Sequence, residues 1–228
     1  MLSLGSVRLI ISLITNFLAY FLVATIAGSF KAWVVCALGD ETPERMGFLT
    51  LNPLAHADPI GFFFLIIFGF GWGKHIFINP YNITGRFRTL KLLVAYLSDV
   101  FAYFVIATVS LVVLIVSFGP TVFGNLVKAQ FVQAYPQSSS YAIALALIFV
   151  AAIYLSTLLA ALSFIISGFS YLSIVFSDRL NNAGKYKDVL FLLIPMLLIF
   201  FFIAPLRVFV FWGIYRVGFI VAKFLGVA

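Results

Sequence analysis

Long apolar stretches constrain this 228-residue chain more than any other feature of its sequence. Hydrophobic residues make up 64% of the chain and charged residues only 9%, so polar side chains are too few to cover a water-soluble surface. A membrane-spanning helix needs about 20 apolar residues. Four stretches qualify, 9–38, 92–118, 141–176 and 189–225, and the last has room for a further segment. We therefore expect an all-α polytopic membrane protein with four to six transmembrane segments.

The segment between the first two spans, residues 39–91, is rich in turns. Its apolar run, Ile60 to Phe70, is too short to cross a membrane as a straight helix. Asn-Pro and Asp-Pro dipeptides flank this run and indicate turns. Irregular backbone at membrane depth needs protein or water to satisfy its polar groups, so we predict a re-entrant hairpin packed against the spans. No linker or repeat is apparent, which favours a single membrane domain over 1–228.

The formal net charge of +7 comes from basic residues in loops beside the apolar stretches. They form no stripe with interleaved aromatic residues, which argues against nucleic acid as a partner. Most of them lie in 39–91 and between the third and fourth spans. The positive-inside rule then predicts an N-terminus outside the membrane and both basic segments in the cytoplasm. The path of the chain after Pro205 stays open.

Residues that hold zinc are scarce. A zinc protease needs two histidines one helical turn apart, a glutamate beside the first, and a third ligand elsewhere. The two histidines, His56 and His75, are nineteen positions apart, so no His-Glu-x-x-His motif exists. Cys36 is the single cysteine, which excludes an internal disulfide and any multi-cysteine metal site.

An ordered series of short motifs nevertheless points to a metalloprotease scaffold. The series consists of Ala27-Gly28-Ser29-Phe30-Lys31-Ala32-Trp33, Leu38-Gly39-Asp40, the stretch from Leu49 to Gly61, Gly71-Trp72-Gly73-Lys74, and Asn79-Pro80. It resembles the site-2 protease family of intramembrane zinc metalloproteases, in the short group without a large inserted domain. The resemblance implies three core helices with a re-entrant hairpin and, by its bacterial and organellar branch, a bacterial inner membrane.

The same resemblance implies that zinc is lost. The family's His-Glu-x-x-His falls on Ala27, Gly28 and Lys31, so we predict no catalytic residue, no metal ligand and no cofactor. The family's third ligand, an aspartate, falls on Asp178 in a poorly matching context. The residues predicted to form the cleft and hairpin are Asn52, Pro53, His56, Asp58, Pro59 and Gly61.

Lys31 is a charge inside an apolar stretch, which is costly unless the side chain snorkels to water or finds a partner. One hypothesis is a buried charge cluster in which Lys31 takes the place of the metal and pairs with Asp99 or Asp178. Asp99 also lies inside a predicted span, where an acidic residue indicates a polar path or a partner contact unless water reaches it.

These observations favour a catalytically inactive, site-2-protease-like protein that binds or scaffolds a membrane partner, for example as a subunit of a membrane complex. Its partners would be the lipid bilayer and another membrane protein. The first alternative is an active zinc endopeptidase with a non-standard ligand set, such as His56, Asp58 and His75 or Asp178. The second is a transporter or channel that uses Lys31, Asp99 and Asp178 as a polar path.

Overall fold

The computed structural model describes residues 4–69, 71–119 and 140–177, together with several positions within 205–226. The described residues up to 177 form six helices: α1 (Leu4–Ala37), α2 (Thr42–Arg45), α3 (Pro53–His56), α4 (Pro59–Phe68), α5 (Arg88–Phe118) and α6 (Ser140–Ser177). These described residues contain no strand, and an isolated antiparallel bridge joins Ala57 to Gly73. The predicted mainly helical fold is confirmed.

Three of the helices are long and apolar enough to cross a membrane. The qualifying segments are Leu13–Ala37 in α1, Arg88–Phe118 in α5 and Tyr141–Val175 in α6. Length and composition therefore identify an integral membrane protein. The predicted fourth stretch, 189–225, lies mostly outside the described residues, but 212–217 are helical and Ile214 is buried against α5 and α6. A total of four to six spans stays a prediction.

Small residues line the contacts among the three long helices. The central buried cluster draws Ala24 and Ala27 from α1, Ala102 from α5, and Ala151 and Ala152 from α6. Small side chains let helix backbones approach closely, which favours association in lipid, where apolar burial gives little driving force. Polar side chains on the same helix faces, such as Lys31 and Ser156, are therefore buried close to one another's helices.

One end of the helix bundle is closed by a second cluster. Val35 near the end of α1 packs against Leu92 near the start of α5, with Ile83 from the preceding loop and Ile174 near the end of α6. The loop that leads into α5 therefore lies at the end of the bundle where α1 and α6 finish.

The two short helices after α2 begin with side-chain caps. Asn52 Oδ1 accepts the Leu54 N–H at 3.1 Å, and Asp58 Oδ1 accepts the Ile60 N–H at 2.7 Å. Each capping residue is followed by a proline, which fits the first turn because its missing N–H would have no helical partner there. The Asn-Pro and Asp-Pro dipeptides thus start α3 and α4.

The apolar helix α4 and the chain that follows it form a closed loop. Gly69 ends α4 in the left-handed conformation, at φ 72°. Gly71 then passes close to Gly61. A Cβ at Gly61 would overlap the backbone of Trp72, and a Cβ at Gly71 would overlap the backbone of Gly61. The Ala57–Gly73 bridge closes the loop. That this loop re-enters the membrane stays a prediction.

Candidate functional site

The motif positions of α1 lie on its inner face. Ala27 is fully buried in the central cluster, and Lys31 is 5% exposed. Gly28 lies beside Ala27, and residues three and four positions apart share one face of a helix. A zinc ligand pair at 27 and 31 would point into the same interior that now receives the Lys31 side chain.

Lys31 forms an ion pair with Asp99 of α5. Its Nζ lies 2.9 Å from Asp99 Oδ2, and the two side chains are 6% and 14% exposed. The ammonium also donates to the Tyr96 carbonyl at 3.4 Å. From α6, the Ser163 hydroxyl donates to the same Asp99 oxygen at 2.6 Å. Three transmembrane helices thus converge on one carboxylate.

This ion pair lies between helices that are long and apolar enough to cross a membrane. Asp99 follows Arg88 by eleven residues, about 17 Å along α5 at 1.5 Å per residue. An isolated charge at that depth is costly, whereas a pair with further hydrogen bonds offsets much of its desolvation. The structure places Lys31 with Asp99 and not at a water-facing surface. Asp178, the other predicted partner, lies outside the described residues.

His56 of α3 packs against Gly28 of α1. The ring is 1% exposed, and its Nε2 lies 2.8 Å from the Thr50 carbonyl and 3.1 Å from Ser29 Oγ. A carbonyl only accepts hydrogen bonds, so we assign the ring proton to Nε2. The other ring nitrogen, Nδ1, has no hydrogen-bond partner among the described residues. A Cβ at position 28 would overlap it, so His56 occupies the space of any side chain there.

The remaining predicted hairpin residues shape and anchor the loop. Asn52 and Asp58 cap α3 and α4, Pro53 and Pro59 begin them, and Gly61 permits the close return of the chain. A further anchor, Tyr20 of α1, was not predicted from the sequence. Its hydroxyl donates to the Trp72 carbonyl at 2.9 Å and accepts the Asp58 N–H at 3.1 Å.

Asp40, just after α1, is a fully buried carboxylate whose role was also not predicted. Its Oδ1 accepts from Thr42 N at 3.1 Å, Thr42 Oγ1 at 2.5 Å and Asn82 Nδ2 at 2.8 Å, and its Oδ2 accepts from Asn79 N at 2.7 Å. Burial alone raises a carboxyl pKa, but these hydrogen bonds outweigh it and hold the pKa of Asp40 below its usual range. Asp40 therefore joins the end of α1 to the loop before α5.

His75 lies on the exposed edge of the loop, with its ring edge-on to Phe77 at 5.3 Å between centroids. The part of the ring that faces packed residues is desolvated, which lowers the pKa of His75. The nearby Lys31 charge lowers the pKa further, while Asp99 acts in the opposite direction. His75 is thus in electrostatic reach of the ion pair.

The residues at the motif positions do not fit a zinc ion. Ala27 and Gly28 have no ligand atom, and the Lys31 ammonium is a cation that repels a metal while it holds Asp99. Within the described ranges, no three His, Cys, Asp or Glu side chains are grouped to hold a metal. The predicted alternative set needs His56, whose Nε2 already contacts Thr50, and Asp58, which caps α4. We derive no chemical step through zinc.

Comparison with known proteins gives one partial similarity. Over 65 residues the chain is 40% identical to a protein of Bacillus subtilis (strain 168) named "Putative zinc metalloprotease YwhC". The match covers 26% of this chain and 30% of that protein, so the chain spans less than a third of its relative. No family model matches the chain, and no solved structure matches it. The chain is therefore similar, over about a quarter of its length, to a protein named as a zinc metalloprotease.

Proposed function

We propose that this protein is a site-2-protease-like membrane protein that binds a segment of a membrane partner and does not hydrolyse peptide bonds. The observation that carries the proposal is the Lys31–Asp99 ion pair at the motif position. A lysine ammonium neither ligates zinc nor, while protonated, accepts a proton from water. The pair joins α1 to α5 at the position of one expected zinc ligand.

The contact of His56 with Gly28 supports the same proposal. A metalloprotease of this type uses a glutamate beside its first histidine as general base. Here the position holds glycine, and the His56 ring fills the space next to it. A glutamate has no room unless His56 moves.

The surface beyond the Ala57–Gly73 bridge supports partner binding. Residues 74–78 belong to no described helix or strand, and among them Ile76 is buried while His75 and Phe77 are exposed. Such a segment can offer main-chain groups and exposed side chains to a second, extended segment. We propose that a partner segment lies along these residues, close to Lys31, whose charge adds to the effect of burial in lowering the pKa of His75.

The enzyme alternative is tested by metal content and by cleavage. The full chain, purified without chelator or histidine tag, is measured by plasma mass spectrometry beside an Asp99→Asn variant, and its melting temperature is recorded with and without EDTA. We expect only background zinc in both proteins, and we expect the melting temperature to be the same with and without EDTA. Near-stoichiometric zinc, a chelator-dependent melting temperature or cleavage of membrane-protein substrates would overturn the proposal.

The binding role is tested by photo-crosslinking in the membrane. A photoreactive amino acid replaces Phe77, which is 59% exposed among residues 74–78, and in a second variant replaces Tyr141, which is 89% exposed at the start of α6. We expect a defined protein adduct at position 77 that is absent at position 141. Identical adduct patterns at both positions would contradict a specific surface at residues 74–78.

A further inference from the structure

The loop that leads into α5 carries a net positive charge. From Pro59 to Ser98 the chain has no acidic residue, and within that stretch lie Lys74, Arg86, Arg88 and Lys91. Two acidic residues lie near this region among the described residues, and both carboxylates have other partners. Asp99 pairs with Lys31, and the Asp40 carboxylate accepts hydrogen bonds from Thr42, Asn79 and Asn82.

The length of α5 indicates that this loop lies near the lipid headgroups. The 31 residues of α5 extend about 46 Å, whereas the hydrocarbon core of a bilayer is about 30 Å thick. The ends of α5 therefore project into the headgroup region. Arg88 and Lys91 occupy its first turn, and the loop before them packs at the end of the bundle through Ile83.

Exposed aromatic and aliphatic side chains accompany these cations. Tyr81 is 82% exposed, Phe87 66% and Leu90 57%. Phe87 has φ 66°, in the left-handed region that a bulky residue rarely adopts. The Arg86 guanidinium lies 5.1 Å from the centroid of the Phe87 ring. Aromatic rings beside cations are typical of protein surfaces at the membrane–water interface.

Internal hydrogen bonds hold the cations in place and leave donors free. Arg88 donates to the carbonyls of Ile83 and Pro80, each at 3.1 Å, and Lys91 donates to the carbonyl of Thr84 at 3.1 Å. A guanidinium has five N–H donors and an ammonium three. Arg88 and Lys91 therefore keep donors for a phosphate, and the exposed Arg86 is held by its contact with Phe87 alone among the interactions described here.

From these observations we propose that residues 80–91 form a binding surface for anionic phospholipids. The phosphate oxygens of the negatively charged headgroups accept hydrogen bonds from Arg86, Arg88 and Lys91. Phe87 and Leu90 insert beside them toward the acyl chains. The charge complementarity and the depth of the loop favour lipid over a soluble acidic partner.

The test is the affinity of the purified full chain for two lipids with the same acyl chains, phosphatidylglycerol and phosphatidylcholine, counted as bound lipids by native mass spectrometry. We expect tighter binding of phosphatidylglycerol, weakened by salt. Arg86→Gln should lower that affinity about fivefold. Arg45→Gln is the matched control, since Arg45 is exposed and lies 2.9 Å from Glu41, and it should bind like wild type.

Three results would overturn the proposal. Equal affinity for the two lipids would show that headgroup charge is not recognised. Equal losses in Arg86→Gln and Arg45→Gln would show a general charge effect. Binding of a soluble polyglutamate peptide as tightly as phosphatidylglycerol, lost in Arg86→Gln, would assign the surface to an acidic protein instead. None of these results depends on zinc content or on adducts at position 77.

Discussion

The Lys31 ammonium and the Asp99 carboxylate meet at 2.9 Å between two apolar transmembrane helices. Removal of one partner from a buried ion pair leaves an uncompensated charge and costs about 3–5 kcal/mol. Lys31→Met should therefore lower the free energy of unfolding by about that amount, measured in mixed micelles. The double variant Lys31→Met, Asp99→Leu should recover most of the loss, because apolar replacement of a whole buried pair is often neutral.

An exposed ion pair provides the control for that experiment. Arg45 and Glu41 also lie 2.9 Å apart, but their side chains are 78% and 65% exposed. Exposed pairs contribute about 0–1 kcal/mol, so Arg45→Met should unfold nearly as wild type does. If Lys31→Met also leaves the free energy of unfolding nearly unchanged, the ion pair does not hold α1 to α5.

The contact between Gly28 and His56 predicts an unusual cost for a small substitution. Gly28→Ala adds a single methyl group that overlaps His56 Nδ1, so it should destabilise the protein although alanine favours a helix over glycine. His56→Ala in the same chain should relieve that overlap. Gly168→Ala in α6, where a Cβ meets nothing within 4 Å, should be neutral or slightly stabilising. Similar stabilities of Gly28→Ala and Gly168→Ala would contradict the packing of His56 on Gly28.

Asp40 predicts a pH-dependent contribution to stability. Its pKa is lower in the folded protein than the ordinary value near 4, so its contribution is fully present above that value. The contribution disappears as the pH falls through the lowered pKa. Asp40→Asn should cost about 1–3 kcal/mol at pH 7, because a buried acceptor is lost, and the difference from wild type should narrow in acid.

Stability curves of both proteins between pH 2 and pH 7 test this expectation. Glu44→Gln serves as the control, since Glu44 is exposed in the same region. A constant gap between Asp40→Asn and wild type across the whole range would show that the Asp40 charge has no part in the loop contact.

Tyr20 predicts a loss that is confined to the attachment of the loop. Its hydroxyl links α1 to the Trp72 carbonyl and the Asp58 N–H, so Tyr20→Phe leaves two partly buried backbone groups without that partner. We expect a loss of about 1–3 kcal/mol and faster proteolysis between Pro59 and Gly73. Tyr81→Phe, at a residue 82% exposed, should change neither quantity. Unchanged proteolysis in Tyr20→Phe would show that other contacts hold the loop.

The long helices could be predicted from the sequence because their apolar length exceeds what a soluble fold uses. Residues 92–118 and 141–176 fall entirely within α5 and α6. The sequence also indicated that Lys31 either reaches water or has a partner, since a charge inside a span is costly. The choice between Asp99 and Asp178 could not be predicted, because it depends on how the helices pack.

Other contacts of the site join residues that lie far apart in the sequence. By the family resemblance, Gly28 occupies the position of the glutamate in His-Glu-x-x-His. The sequence around Gly28 does not indicate that His56 packs against it. Asp40 and Asn79 each belong to a motif of the metalloprotease resemblance, yet their hydrogen bond depends on the arrangement of the loop. The sequence feature that could have indicated this bond is the position of Asp40, directly after an apolar helix.

The packing of His56 on Gly28 also constrains evolutionary change. A glutamate acquired at position 28 meets the imidazole ring, and a histidine acquired at position 31 leaves Asp99 without its lysine. Each step toward a metal-binding helix is thus harmful by itself, whichever comes first. A metal-binding helix at these positions therefore requires several coordinated substitutions, because each single substitution meets a contact that the present side chains make.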